Sequence, residues 1–210
     1  WSSDVCSSDL HHQVAVPPRD LVMARIHAAG LFAAKVQPAD ARDYAFRTVD
    51  AAGTVLSQCD PYACRQPGFD AEDERSFMAG RHDGLFEILG AHVASSDGGI
   101  GGVRGVRFAV WAPAAQRVSV VGTFNGWDGR CHPMIRTGEA GIWVLFVPEV
   151  RPGALYKYEI KTPDGALFLK PDPFAGLAEP PPGSASIVCE PRAAEPVTPV
   201  RPAAEAKGFS

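Results

Sequence analysis

Between positions 103 and 188 apolar and polar residues alternate with a period of two. Val106, Phe108 and Val110 alternate with Arg107, Ala109 and Trp111, and Val118 and Val120 with Arg117 and Ser119. Tyr156, Tyr158 and Ile160 alternate with Lys157, Glu159 and Lys161. One apolar face at that period predicts half-buried strands. Ile142 to Val147 is instead a continuous apolar run. Asn125-Gly126, Pro152-Gly153 and Asp164-Gly165 supply turns between these segments. So many short strands within roughly 90 residues predict an immunoglobulin-like β-sandwich.

The pattern occurs twice. Tyr44 to Ala63, YAFRTVDAAGTVLSQCDPYA, matches Tyr156 to Ala175, YKYEIKTPDGALFLKPDPFA, without a gap at an offset of 112. Tyr44 falls on Tyr156, Gly53 on Gly165, Asp60 on Asp172 and Pro61 on Pro173. At an offset of 111, Gly30-Leu31-Phe32 falls on Gly141-Ile142-Trp143 and Met23 on Met134. A period of this length indicates duplicated domains rather than a solenoid. The expected fold is all-β, with two tandem immunoglobulin-like β-sandwich modules. By the offset, the first module is expected to be truncated, because its opening strands would precede residue 1.

This divides the chain into five parts. Residues 1–10, WSSDVCSSDL, repeat Ser-Ser-Asp and resemble a translated sequencing adapter, a leader to set aside in fold reasoning. Residues 11–68 are the truncated first module. Residues 69–102 form a connector, in which Leu85, Phe86, Ile88 and Leu89 among acidic residues predict a short helix ended by Gly90. Residues 103–190 are the second module. Residues 191–210, rich in Pro and Ala, read as a disordered tail.

Composition narrows the function. The chain has 210 residues and a net charge of −4, with no basic excess to hold phosphates, so nucleic acid is not an expected partner. No run of about 18 apolar residues spans a membrane, and no secretory signal is expected at the start. The five cysteines are scattered and odd in number, which suggests reduced thiols in a cytoplasm. Cys59 and Cys64 lack a second ligand pair, so neither a metal nor another cofactor is expected.

Several segments resemble the N-terminal half of bacterial glycogen branching enzymes. RHDGLFEILGAH (Arg81–His92) resembles the stretch before that family's glycan-binding module. VRFAVWAPAAQRVSVVGTFNGWDGRCHPM (Val106–Met134) and GIWVLFVPEVRPGALYKYEIKTPDG (Gly141–Gly165) resemble the module itself, a family-forty-eight carbohydrate-binding module. LKPDPFA (Leu169–Ala175) and PPGSASIV (Pro181–Val188) resemble its exit toward the catalytic domain, and the first repeat resembles the family's extra N-terminal domain. After Val188 the family continues into a catalytic barrel, whereas here a Pro/Ala tail follows.

The resemblance implies a non-catalytic part of an enzyme that cuts α-1,4 glucan and rejoins the piece through an α-1,6 bond. Its partners would be α-glucan and the catalytic barrel. Retaining α-glucan chemistry needs two carboxyl groups about 5 Å apart on a barrel of about 250 residues, so no catalytic residue is assigned. The acidic cluster Asp70, Glu72, Asp73 and Glu74 reads as a solvated charge run. His82 and His92 have no paired carboxylate in the pattern, His132 reads as structural, and Trp111 and Trp143 as core or interface residues.

Binding is the chemistry left. An α-glucan offers flat C–H faces and hydroxyls, which an exposed aromatic plate and a few polar side chains meet. The resemblance places Trp127, after the Asn125-Gly126 turn, the outward-facing Lys157 and Asn125 itself on the sugar platform, with Phe168 as a loose substitute for a second aromatic. The other readings are a free-standing α-glucan-binding or regulatory module, which the truncated first repeat disfavours, and the N-terminal part of a debranching enzyme. The leading repeat and the connector count against the latter.

Overall fold

The computed structural model describes residues 11–16, 19–37, 44–50, 52–64, 66, 69–96 and 102–190; the leader, Cys6 and the tail lie outside them. The first repeat holds β1 (His11–Val16), β2 (Arg19–Val22), β3 (Ala24–His27), β4 (Leu31–Ala33), β5 (Ala45–Val49) and β6 (Val55–Cys59). Two helices follow, α1 (Ala71–Met78) and α2 (Leu85–Ile88). The second repeat holds β7 (Gly90–Ser96), β8 (Val103–Trp111), β9 (Arg117–Gly122), β10 (Ile135–Thr137), β11 (Ile142–Pro148), β12 (Leu155–Lys161), β13 (Leu167–Lys170), β14 (Leu177–Ala178) and β15 (Ser186–Ile187).

The second repeat is a sandwich of two antiparallel sheets. One runs β10-β11-β8-β7; the other runs β13-β12-β15-β14, with β9 on the opposite edge of β12. Between them lie Val106, Phe108 and Val110 of β8, Trp143, Leu145 and Val147 of β11, Val118 and Val120 of β9, and Tyr156 and Tyr158 of β12. Each fully buried side chain of this size contributes roughly 1.5–3 kcal/mol.

A second cluster covers the outer face of the β11-β8 sheet. Ala109, Ile142 and Val144 pack there on Phe69 and Leu89, with Phe77, Leu85 and Ile88 of the helices partly buried against them. This explains the unbroken apolar run in β11, because both faces of that strand are covered. The helices are therefore the lid of a sheet rather than a free tether. The segment read as connector also ends in β7, which pairs with β8 along its whole length. Its small residues and the Ser-Asp-Gly-Gly that follows hid that strand.

The first repeat reproduces part of this plan. β5 pairs with β6 in the register Phe46↔Gln58 and Thr48↔Leu56, and β12 pairs with β13 as Tyr158↔Lys170 and Ile160↔Phe168. These registers coincide at the offset of 112. β3 pairs with β4 as Ala24↔Ala33, and β10 with β11 as Ile135↔Val144. β1 beside β5 takes the place of β9 beside β12. Among the described residues nothing in the first repeat corresponds to β7 and β8. The architecture is thus all-β, with two immunoglobulin-like repeats, the first incomplete.

Candidate glycan-binding surface

β9 ends at Gly122, where a side chain would run into the Leu155 carbonyl and the Phe124 ring. A single 3-10 turn, Thr123–Asn125, follows, and then two left-handed residues, Gly126 at φ 60° and Trp127 at φ 62°. Left-handed backbone is unusual for a bulky side chain. Asn125 holds the chain in this shape. Its Oδ1 accepts from the Gly122 N–H at 2.9 Å, and its Nδ2 donates to the Val120 carbonyl at 3.0 Å and to His132 Nδ1 at 2.8 Å. The Trp127 N–H donates back to the Gly122 carbonyl at 3.0 Å. The outcome is an indole 40% exposed on a cross-braced loop.

Lys157 stands beside that loop. Register puts Gly122 opposite Tyr156 and Val121 opposite Lys157. Tyr156 and Tyr158 are buried, so Lys157 lies on the outer face of the sheet. Its Nζ donates to Ser184 Oγ at 2.8 Å. Sequence reasoning missed Ser184. The signal was weak: an outward lysine, and a Gly-Ser pair in the exit segment with no contact visible in one dimension.

The other two site residues move away from this pair. Asn125 spends both ends of its amide on the protein, so it shapes the loop and presents little to a ligand. Phe168 is 47% exposed, but it lies opposite Ile160 and so shares the face of the buried tyrosines, not that of Lys157. Lys170 Nζ sits 5.7 Å from its ring centroid. The β13 residues on the Lys157 face are Leu167 and Leu169, 56% and 54% exposed. The period of two makes this shift legible once the register is known.

Charged groups around the loop are paired locally. Arg117 meets Glu159 at 2.5 Å, and Arg130 meets Asp128 at 2.6 Å. The Arg130 side chain and N–H together hold the Asp128 carboxyl down at about 2. Burial pushes His132 below its ordinary value, and it stands against Phe124 edge-on.

The acidic cluster is mostly not a solvated run. Asp70 caps α1, and Asp73 completes a capping box while its Oδ1 meets His82 Nε2 at 3.0 Å. Glu74 accepts the Glu139 and Ala140 N–H groups at 2.6 and 2.9 Å. Asp70 and Glu72 are exposed, and Glu72 pairs with Arg75 on the surface. His82 thus has a carboxylate after all, brought to it by a turn of helix. Trp143 is core, its Nε1 donating to the Ala112 carbonyl, while Trp111 is 54% exposed and packs edge-on to Phe77. Cys64 is buried and Cys59 half-buried; burial raises both thiols.

Residues 88–175 match carbohydrate-binding module 48, the isoamylase N-terminal domain. The sandwich with its aromatic loop is therefore a module of that class. Over 169 residues the chain is 48% identical to the 1,4-alpha-glucan branching enzyme GlgB of Paramagnetospirillum magneticum, covering 80% of this chain and 22% of that protein. Over 130 residues it is 53% identical to the GlgB of Pseudomonas aeruginosa, covering 62% and 17%. The chain belongs to the 1,4-α-glucan branching enzyme family and spans about a fifth of the length of the curated relatives it matches. Among solved structures, pullulanase type I from Bacillus subtilis str. 168, complexed with maltose, overlaps 91% of this chain and 25% of that chain at 18% identity, with a TM-score of 0.43.

Proposed function

We propose that this chain is a non-catalytic part of a glycogen branching enzyme, holding α-glucan for a catalytic barrel supplied by the rest of the polypeptide. The reaction served is transfer of an α-1,4 chain to an α-1,6 branch point, in the cytoplasm. The observation that carries the reading is Trp127, 40% exposed at positive φ on the loop that leaves β9, the strand paired with Lys157. The indole offers a flat apolar face to a sugar ring. The Lys157 ammonium and the Ser184 hydroxyl offer donors to ring hydroxyls.

The platform has one aromatic on this face, with Leu167 and Leu169 nearby in place of a second, so affinity for a single chain is expected to be weak. Affinity electrophoresis in glycogen tests the reading. The intact chain should be retarded, and Trp127→Ala should lose about 1–3 kcal/mol of binding, by analogy with base stacking. Equal retardation of the two proteins, with matching circular dichroism, would remove Trp127 from the site.

A further inference from the structure

A cleft of about 690 Å³ separates the two repeats on the side of the loop after β9. The first repeat lines it with Phe46, Gln58 and Asp60, that loop with Phe124 and His132, and the β11–β12 turn with Glu149. The size is that of a small-molecule site. Hydrogen bonds tie the repeats together: the Tyr62 hydroxyl donates to the Pro133 carbonyl at 2.8 Å, and the Phe146 N–H donates to Gln66 Oε1 at 2.5 Å.

The lining chemistry is selective. Asp60 and Glu149 bring carboxylates, and among the described residues no lysine or arginine lines the cleft, so an anion is disfavoured. Among the described residues no group of three His, Cys, Asp or Glu side chains is placed to hold a metal ion. His132 supplies a donor. Its Nδ1 accepts from Asn125 Nδ2, which leaves the proton of the neutral ring on Nε2. Burial lowers its pKa and keeps the ring neutral. Glu149 holds a left-handed backbone at φ 64°, a strained state for a residue with a side chain and one that concentrates at ligand sites. Phe46 and Phe124 supply aromatic surface. Carboxylates to accept hydroxyl protons, an imidazole N–H to donate and rings for C–H faces together suit a neutral polyol.

We propose that the cleft between the repeats is a second carbohydrate site, which takes a segment of neutral α-glucan a few glucose units long, separate from the Trp127 platform. The choice of glucan rests on the proposed function; the preference for a neutral hydroxyl-rich ligand rests on the lining alone. Two sites on one chain would hold separate glucan segments and raise the effective concentration of acceptor chains.

The test is a maltohexaose titration of the intact 15N-labelled chain, followed by amide NMR. In the unmodified protein the amides of Cys131, His132 and Glu149 should shift along with Lys157. In Trp127→Ala the cleft amides should titrate with an affinity changed by no more than about twofold. In Gln58→Ala/Glu149→Asn they should weaken by about tenfold or more, while Lys157 still responds. Both altered side chains are exposed, and Asn tolerates the left-handed backbone. Silent cleft amides in the unmodified protein, cleft shifts that vanish in Trp127→Ala, or cleft shifts untouched by the double substitution would each overturn the second site. A Lys157 response that survives Trp127→Ala would instead count against the platform.

Discussion

The Tyr156 hydroxyl donates a 2.7 Å hydrogen bond to the carboxylate of Asp172, buried in the second repeat. Tyr44 does the same to Asp60 at 2.6 Å in the first. In each copy the other carboxylate oxygen accepts the N–H two residues on, Phe174 at 2.8 Å and Tyr62 at 2.9 Å. The pair ties a strand to the turn that follows its neighbour. In the second copy Tyr158 adds a further donor at 3.1 Å. Tyr156→Phe should cost about 1.5–3 kcal/mol, since it deprives a buried charged acceptor of a donor. Tyr44→Phe, in the half-exposed copy, should cost about 0.5–1.5 kcal/mol. Chemical denaturation of the two variants checks the order.

Asp172 also predicts a pH signature. Burial raises its folded pKa above 3.8, and the tyrosine hydroxyls and the Phe174 N–H only partly oppose this. The folded state therefore holds the proton more tightly than the unfolded chain. The associated stability is full below 3.8 and is lost as pH rises through the higher folded value. Asp172→Asn should remove that slope. The stability of the unmodified protein minus that of the variant should fall across the window; a flat difference in urea melts at stepped pH would contradict the assignment. Subtraction matters because Asp73, whose pKa is lowered by His82, contributes the opposite slope.

Much of this was legible in one dimension because it repeats. The offset of 112 aligned Tyr44 with Tyr156 and Asp60 with Asp172, and the same alignment carries the strand register. The alternation in β12 placed Lys157 outside and Tyr156 inside. Properties that depend on pairing were not legible. Phe168 follows an Asp-Gly turn just as a platform aromatic would, but its register opposite Ile160 turns it to the other face. Asn125 sits in a turn signal, and only the closure of His132 onto it shows that its amide is consumed. The acids of α1 look like a charge run because their partners, His82 and the backbone at Glu139 and Ala140, lie up to 66 residues away.

Asn125 should behave as a scaffold. Asn125→Ala removes three hydrogen bonds around a half-buried loop, each worth about 0.5–1.5 kcal/mol. The melting temperature should drop, and glycogen retardation should weaken because Trp127 loses its fixed pose. If Asn125→Ala keeps the parent melting temperature yet loses binding, the amide touches the sugar directly and the scaffold assignment fails.

Glu74 is the clasp between α1 and the β10–β11 turn. A side chain on Gly138 would collide with its carboxylate, so the two close tightly. Glu74→Ala should free the Glu139 and Ala140 N–H groups and detach α1 from the face formed by Ile142 and Val144. Hydrogen exchange at α1 should accelerate by roughly tenfold or more, as expected for about 1.5 kcal/mol of lost closure. Exchange in β12, on the far side of the core, should not change. Acceleration everywhere would mean that the clasp supports global stability rather than the lid.

The incomplete first repeat sets the order in which the chain opens. Ala24–His27 is exposed at every position, and among the described residues β3 pairs with β4 alone. In the second repeat β11, the counterpart of β4, is flanked by both β10 and β8. The β3–β4 hairpin therefore has little burial to hold it, with Ile26 and Leu31 59% and 57% exposed. An isolated two-stranded hairpin is marginal in water. The stretch from Tyr44 to Cys64 is better held, since Ala45, Ala63 and Cys64 are buried and Tyr62 bonds to Pro133. Among the bonds after Arg25, Arg47, Arg107 and Arg117, trypsin should cut after Arg25 first. Arg47, in the centre of β5 and paired with Asp20 at 2.7 Å, should follow, and Arg107 and Arg117 of the second sandwich should be cut last. Mass spectrometry of a short time course reads the order directly. Persistence of the Arg25 bond for as long as the Arg107 bond would show that the hairpin is covered in solution by a surface outside the described residues, and the low stability assigned to it here would be wrong.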